Sequence, residues 1–272
     1  MTDRKAIFIT GGSGGMGVAT GKHFAERGWL VGLYDLDEEI LRAAAADFDP
    51  DSIITGRLDV TVESDFGPAI DAFAERSGGR MDVMFNNAGI APGGWFDEMA
   101  TETIRQMVEV NIMGVIYGMR ASLPLLKATD NSLCMSTSSS AATYGQPMRA
   151  VYAATKFAVK GLTEALSLEY ERFGIRTADL LPGCIDTPML RRESAKGAGR
   201  PFEESMLDNL PKEGPYKLMP ATAIAEAVWA AYENSDQVHF YVPEEVGNTD
   251  RMKMQDIDLA KNESRGFFLR DR

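Results

Sequence analysis

Thr10-Gly11-Gly12-Ser13-Gly14-Gly15-Met16-Gly17 decides the fold through what stands on either side of it. Residues 5–10 form a short apolar, β-rich run and residues 15–26 carry helical period, so the glycines form the turn of a strand–turn–helix unit. Such a turn lets backbone approach a pyrophosphate closely, and the helix start offers it unpaired N–H groups and partial positive charge. The string also satisfies G-x-G-x-x-G at Gly12, Gly14 and Gly17, although a run this rich in glycine meets that spacing cheaply. The loop of nucleotide hydrolases is excluded, because Gly21-Lys22 is followed by His23 and Met16 stands where that loop needs its first glycine.

The next apolar run ends at Tyr34-Asp35, which places a carboxylate 18 residues beyond Gly17. A carboxylate there accepts hydrogen bonds from the adenosine ribose hydroxyls. Neither the glycine loop nor Leu36 supplies a cation to neutralise a 2′-phosphate, so the expected dinucleotide is NAD.

Outward from this unit the alternation continues. Strands are expected at 5–10, 30–34, 53–58, 81–85, 132–135, 175–181 and 238–242, and helices at 15–26, 38–46, 63–76, 101–126, 150–173 and 221–232, with Gly28 and Gly174 as stops. Short strands alternating with helices predict one α/β domain, a doubly wound parallel seven-stranded sheet of the Rossmann type, with its ligand at the carboxyl ends of the strands. No repeat or linker divides the chain. The stretch 189–219 lacks a clean period and reads either as a lid over the site or as an ordinary surface excursion.

Composition narrows the partners. With 28 Lys and Arg against 40 Asp and Glu among 272 residues, the formal charge is −12, which repels phosphate backbones and anionic lipid surfaces, so no nucleic acid and no membrane partner is expected. Cys134 and Cys184 stand alone, without the spacing of a zinc site or a disulfide framework, so no metal is expected and a cytoplasmic location fits.

The remaining motifs resemble the short-chain dehydrogenase/reductase family, in register from Lys5 to Met189. Thr10-Gly11-x-x-x-Gly15-x-Gly17 is similar to its cofactor motif, Asp59-Val60 to its adenine-contacting pair, and Asn86-Asn87-Ala88-Gly89 to its fourth-strand signature. Asn111, Ser139 and Tyr152-x-x-x-Lys156 fall where that family keeps its catalytic tetrad, and Pro182-Gly183, Ile185 and Thr187 resemble its nicotinamide-side loop. The resemblance implies a hydride transfer between NAD and a secondary alcohol or ketone. Gly11, Ser13, Gly14, Gly15, Met16, Gly17, Asp35, Leu36, Asp59, Val60, Asn87, Ala88, Gly89, Tyr152, Lys156, Pro182, Gly183, Ile185 and Thr187 would hold the dinucleotide, Thr187 through its carboxamide.

The residue types suit that chemistry. An alcohol needs a base for its hydroxyl proton, and a phenol with pKa near 10 serves only if its surroundings lower that value. Lys156 shares a helix face with Tyr152 and is expected to stabilise the phenolate. Ser139 is expected to orient the substrate oxygen, with Ser138 the alternative at that position, and Asn111 to hold a water in a proton relay.

By the same resemblance, Trp95, Tyr144, Met148 and Met189 line an apolar pocket for a hydrophobic, aromatic or bulky secondary alcohol. The family's short tail is replaced here by 30 residues, 243–272, with a helical-looking 251–261. That extension either closes a neighbour's pocket or is solvated, in an expected homodimer or homotetramer. A dinucleotide-sensing protein without turnover and an epimerase on the same scaffold are the competing readings.

Overall fold

Ile7 and Ile9 point to one side of the first strand and Ala6 and Phe8 to the other, and each pair joins a separate hydrophobic cluster. A strand apolar on both faces must be covered twice, which is why helices layer both sides of one sheet. The computed structural model describes residues 4–192, 203–208, 210–233 and 237–268. Strands β1 (Ala6–Thr10), β2 (Leu30–Asp35), β3 (Ile53–Arg57), β4 (Val83–Asn86), β5 (Leu133–Thr137) and β6 (Arg176–Pro182) precede a short pair, β7 (Cys184–Asp186) and β8 (Leu218–Pro220), and the last strand is β9 (His239–Val242). Seven of them form a parallel sheet in the order β3-β2-β1-β4-β5-β6-β9, within two residues of the expected bounds, while β7 and β8 pair apart from it.

Helices α1 (Gly15–Ala25), α2 (Glu38–Ala45), α3 (Glu63–Ser77), α4 (Thr101–Val108), α5 (Gly114–Lys127) and α6 (Ala150–Glu169) fill the crossovers. They are followed by α7 (Ser205–Asp208), α8 (Thr222–Glu233), α9 (Val246–Gln255) and α10 (Ile257–Phe268). Phe66, Ile70 and Phe73 recur at helical spacing on α3 and are buried, and Phe73 meets Phe8 edge-on at 5.3 Å while Phe8 stacks on Tyr34 at 4.1 Å. Each such side chain contributes about 1.5–3 kcal/mol by leaving water. On the opposite layer Phe24, Trp29, Trp229 and Tyr232 form an aromatic cluster between α1 and α8. Gly174, at φ 70°, ends the turn after α6 in a left-handed conformation that glycine adopts without strain.

The expected helix 101–126 contains an interruption. Glu109–Met113 forms a π turn between α4 and α5, and Asn111 lies inside it. In the stretch 189–219, residues 193–202 and 209 lie outside the described residues; the remainder includes α7 and β8. No helix among the described residues is long and apolar enough to cross a membrane.

The tail corrects the expected helix 251–261. Asp256 is extended, and its carboxylate accepts hydrogen bonds from the N–H groups of Asp258 and Leu259, so it ends α9 and caps α10. A capping carboxylate facing the N-terminus of the second helix outweighs the continuous period that suggested one helix. Nor is the tail simply solvated: Lys160 of α6 pairs with buried Asp250 of α9, Tyr241 donates to the same carboxylate at 2.8 Å, and Lys253 lies 4.1 Å from the ring centre of Phe157. A second polar cluster sits beside it. His239 bridges Asp179 at 2.6 Å and Glu164 at 3.1 Å, and burial pushes the Asp179 carboxyl up to about 6.

Replacing Asp250 by Ala leaves the Lys160 ammonium and the Tyr241 hydroxyl without their shared acceptor. Removing one partner of a buried pair costs about 3 kcal/mol, so thermal unfolding of Asp250→Ala is expected several degrees below that of the parent chain. An unchanged midpoint would show that the clasp contributes nothing.

Candidate active site

The connections leaving β1 and β4 run to opposite sides, and this opens a crevice at their carboxyl ends. Thr10 ends β1, and its hydroxyl oxygen accepts from the N–H groups of Asn87 and Ala88, both at 3.0 Å. Asn87 returns its amide N–H groups to the carbonyls of Thr10 and Gly11 at 3.1 Å, and Thr137 at the end of β5 donates to its Oδ1 at 3.4 Å. Three strand ends are thereby fixed together. Gly11 has φ 64°, and a Cβ on it would lie 2.9 Å from the Ala88 Cα, so the loop can pass this point only as glycine.

Beyond the loop, α1 starts at Gly14 with no side-chain cap and no acidic residue in its first turn. Ser13 donates from its N–H (3.0 Å) and its hydroxyl (2.6 Å) to Asp35 Oδ2, and the Leu36 N–H donates to Oδ1 at 2.8 Å, leaving the Leu36 side chain exposed. Gly17 packs on Gly11, and Gly15 faces Thr187 and Pro188 so closely that a Cβ would meet the Thr187 methyl at 3.0 Å. Met16, next in the turn, is partly buried against the α1-side cluster. Across the crevice Asp59 accepts from the N–H and hydroxyl of Thr61, Val60 lies against Gly114, and Ile185 is buried in β7. Gly183, after Pro182, donates to the Val242 carbonyl at 2.7 Å. An uncapped helix start flanked by hydroxyls, with a carboxylate at the next strand end, is a donor and acceptor set that fits an anionic dinucleotide with ribose hydroxyls.

The reactive end is assembled from α6, β5 and the π turn. Ser138 and Ser139 part company: the Ser138 hydroxyl donates to the Lys156 carbonyl at 2.9 Å, whereas Ser139 stands beside the Tyr152 phenol as its side-chain hydrogen-bond partner. Lys156 donates from Nζ to the Thr137 carbonyl at 2.8 Å and lies 5.7 Å from the centre of the Tyr152 ring. Asn111 is held at both ends by the backbone of one residue, accepting from the Ile90 N–H and donating to the Ile90 carbonyl, each at 2.9 Å, and it also donates to the Thr155 hydroxyl at 3.1 Å. Asn111 and Lys156 converge beside Gly89, where a Cβ would stand 3.3 Å from Asn111 Oδ1 and 3.5 Å from Lys156 Nζ.

Electrostatics depart from expectation at the phenol. Enclosure pushes Tyr152 above its ordinary 10, and the neighbours opposing the rise are Ser139 and Arg149 rather than Lys156. Burial also pushes the Lys156 ammonium down to about 8, since taking a cation from water costs more than one carbonyl returns. Arg149 is the residue that sequence reasoning missed. It stands three residues before Tyr152 at the start of α6, bonds the Ala91 carbonyl at 2.8 Å and lies 5.8 Å from the phenol ring centre. Its i, i+3 spacing was the available signal.

Of the expected pocket residues, Met148 is drawn to the loop that carries Trp95, its carbonyl accepting from Gly94 at 2.9 Å, and it has φ 62°. Trp95 is exposed, Tyr144 half-buried, and Met189 follows Pro188 beside the glycine loop.

A family model described as short chain dehydrogenase matches residues 5–198. A 2,5-dichloro-2,5-cyclohexadiene-1,4-diol dehydrogenase of Sphingobium indicum is 35% identical over 188 residues, 68% of this chain and 74% of the relative. A levodione reductase of Leifsonia aquatica is 34% identical over 194 residues, 70% of this chain and 72% of the relative. The crystal structure of a levodione reductase superposes with a TM-score of 0.78 at 30% identity, covering 92% of this chain and 98% of that one. A family structure from Burkholderia phymatum in complex with NAD gives 0.77 at 26% identity, covering 94% and 95%. On the matched residues and the shared fold, the chain belongs to the short-chain dehydrogenase family of oxidoreductases.

Proposed function

We propose that the chain oxidises a cyclic or otherwise hydrophobic secondary alcohol, or reduces the corresponding ketone, with NAD as its cofactor and Tyr152 as the general acid and base. The observation that carries this reading is the meeting of Ser139, the Tyr152 phenol and Lys156 at the strand ends that adjoin the uncapped start of α1. The relatives named above, for a cyclohexadiene diol and for a dione, support the substrate class.

The nicotinamide dinucleotide, when bound, supplies the hydride acceptor for oxidation or the donor for reduction. In oxidation, Ser139 holds the substrate hydroxyl, and the Tyr152 phenolate takes its proton as the hydride leaves the carbinol carbon. Lys156, fixed by the Thr137 carbonyl, keeps a positive charge 5.7 Å from the ring centre of Tyr152, and Arg149 adds a second at 5.8 Å. Asn111 holds the Ile90 peptide and closes the site beside Lys156. Thr187, next to Gly15, would hold the carboxamide end of the dinucleotide.

Preference for NAD rests on Asp35. Its Oδ2 already carries two donors from Ser13, which holds the carboxylate toward the loop. Arg57 stands opposite Asp35 in the register of β2 and β3, but its guanidinium is paired with Asp65 at 3.3 Å.

Replacement of Tyr152 by Phe is expected to lower kcat about a thousandfold while cofactor binding, read by protein fluorescence quenching, persists; retained turnover would remove Tyr152 from the chemistry. Efficiency with NAD should exceed that with NADP by on the order of a hundredfold, the effect of about 3 kcal/mol between like charges a few ångströms apart at an effective dielectric of about 20. Asp35→Ser should narrow that ratio, and a native preference for NADP would overturn the cofactor assignment. With Arg149→Gln, the rising limb of the pH profile for kcat/KM in oxidation should move up by about one unit, and Arg149→Lys should restore it. An unmoved limb would leave Arg149 a loop tether only.

A further inference from the structure

Asp179 is fully buried on β6 and stands in one register row with Asn86 of β4, Ser136 of β5 and His239 of β9. Register partners share a face, here the one that α6 covers. The Asp179 Oδ1 meets His239 Nδ1 at 2.6 Å, while its Oδ2 is buried without a partner, as are Ser136 Oγ and Asn86 Oδ1. Within the row, His239 is the group that can compensate a charge on Asp179. At the edge of the sheet its second ring nitrogen, Nε2, reaches Glu164 Oε1 of α6 at 3.1 Å, and Glu164 is exposed.

A protonated imidazole donates from both nitrogens, and a neutral one keeps a single N–H. Asp179 is enclosed and cannot turn to water, whereas Glu164 can, so the proton that leaves is the one on Nε2. Asp179 on β6 and Lys160 and Glu164 on α6 are the charged groups that act on His239 directly. Farther out, α9 brings Asp250, which Lys160 and Tyr241 already hold, Lys253, which lies near Glu164, and Arg251, which turns to Asn248. Burial draws the imidazolium down, but the hydrogen bond and charge of Asp179 outweigh it and leave His239 above its ordinary 6.5. A base raised in this way stabilises fully below its unfolded value and loses that contribution as pH rises through the folded one. The elements it joins lead to the reactive end: Lys156 lies two turns before Glu164 on α6, and β6 runs on to Gly183, whose N–H donates to the Val242 carbonyl of β9 at 2.7 Å.

We propose that His239 is a proton-operated clasp and a positioning residue for Gly183: protonated, it ties β9 to α6 through Glu164, and on deprotonation it releases Glu164 and loosens the end of β9 that holds Gly183. Rising pH therefore slackens the edge strand while the bond to Asp179 persists. The clasp can be measured without turnover, whereas its bearing on the cofactor rests on the dehydrogenase reading.

The test compares thermal midpoints of the parent chain and Glu164→Ala between about pH 6.5 and pH 8.5. Alanine suits an exposed helix position, so the readout is how the difference between the two chains changes with pH. Relative to the variant, the parent should lose about two degrees over this range, because neutral His239 no longer holds Glu164. The titration of Asp179 is common to both chains and cancels. Imidazole NMR supplies a second measurement, the chain's two histidines being assigned with His23→Gln. His239 should titrate above its ordinary value in the parent and about half a unit lower in Glu164→Ala. A midpoint difference that stays constant, or a His239 that titrates alike in both chains, overturns the clasp. Amide exchange at Gly183, corrected for the intrinsic effect of pH, should rise about two- to fivefold over the same range in the parent alone, and the KM for NAD should rise with it. Exchange that rises with an unchanged KM leaves the clasp standing and removes Gly183 from cofactor binding; exchange that rises equally in both chains removes the positioning role.

Discussion

Asn87 spends its entire side chain on holding strand ends together. Its two donated bonds fix the Thr10–Gly11 turn, its Oδ1 receives Thr137, and the N–H groups at 87 and 88 close on the Thr10 hydroxyl. Everything at the reactive end inherits its position from that knot: Thr137 offers the carbonyl that anchors Lys156, and Gly89, two residues on, is the point at which Asn111 and Lys156 approach. A buried network whose members are all satisfied rigidifies what it joins, whereas a partly satisfied one is costly. The switch point of the sheet is therefore a hydrogen-bonded unit as well as a topological one.

On the proposed chemistry, the protein stabilises the charged forms poorly before its cofactor is in place. The phenol sits above its ordinary pKa and the ammonium below, both from burial. Each group is neutral more readily than it would be in water, so the charged pair needed for proton removal depends on added charge from Arg149 and from whatever fills the crevice. A closed, low-dielectric setting that disfavours isolated charge also strengthens the field of any charge brought into it.

The sheet and the site were legible in the chain because their signals are local. Alternating apolar runs, the Gly11–Gly17 turn and the i, i+4 spacing of Tyr152 and Lys156 each lie within a few turns of sequence. What the sequence hid depends on partners far along the chain. Ser138 and Ser139 are equivalent as letters and are told apart only by the carbonyl of Lys156, 18 residues away. The sign of the shift at Tyr152 follows from how deeply folding encloses it, and spacing carries no measure of enclosure. The tail read as one helix because the period runs through Asp256, whose capping bonds appear only when the chain turns there.

Asn111 owes its inward aim to an extra residue. Met107, Asn111, Val115, Met119, Ser122 and Leu126 are buried at intervals of four, four, four, three and four, where an unbroken α-helix uses about 18 residues for five turns. Deleting one residue within Glu109–Met113 would give a more regular cylinder and would rotate all that follows by about 100°, carrying Val115 and Met119 off the seam. Length here acts as phase: the segment tolerates many changes of letter but not of count, and an alignment gap at this turn would mark a chain whose second half of the helix faces elsewhere.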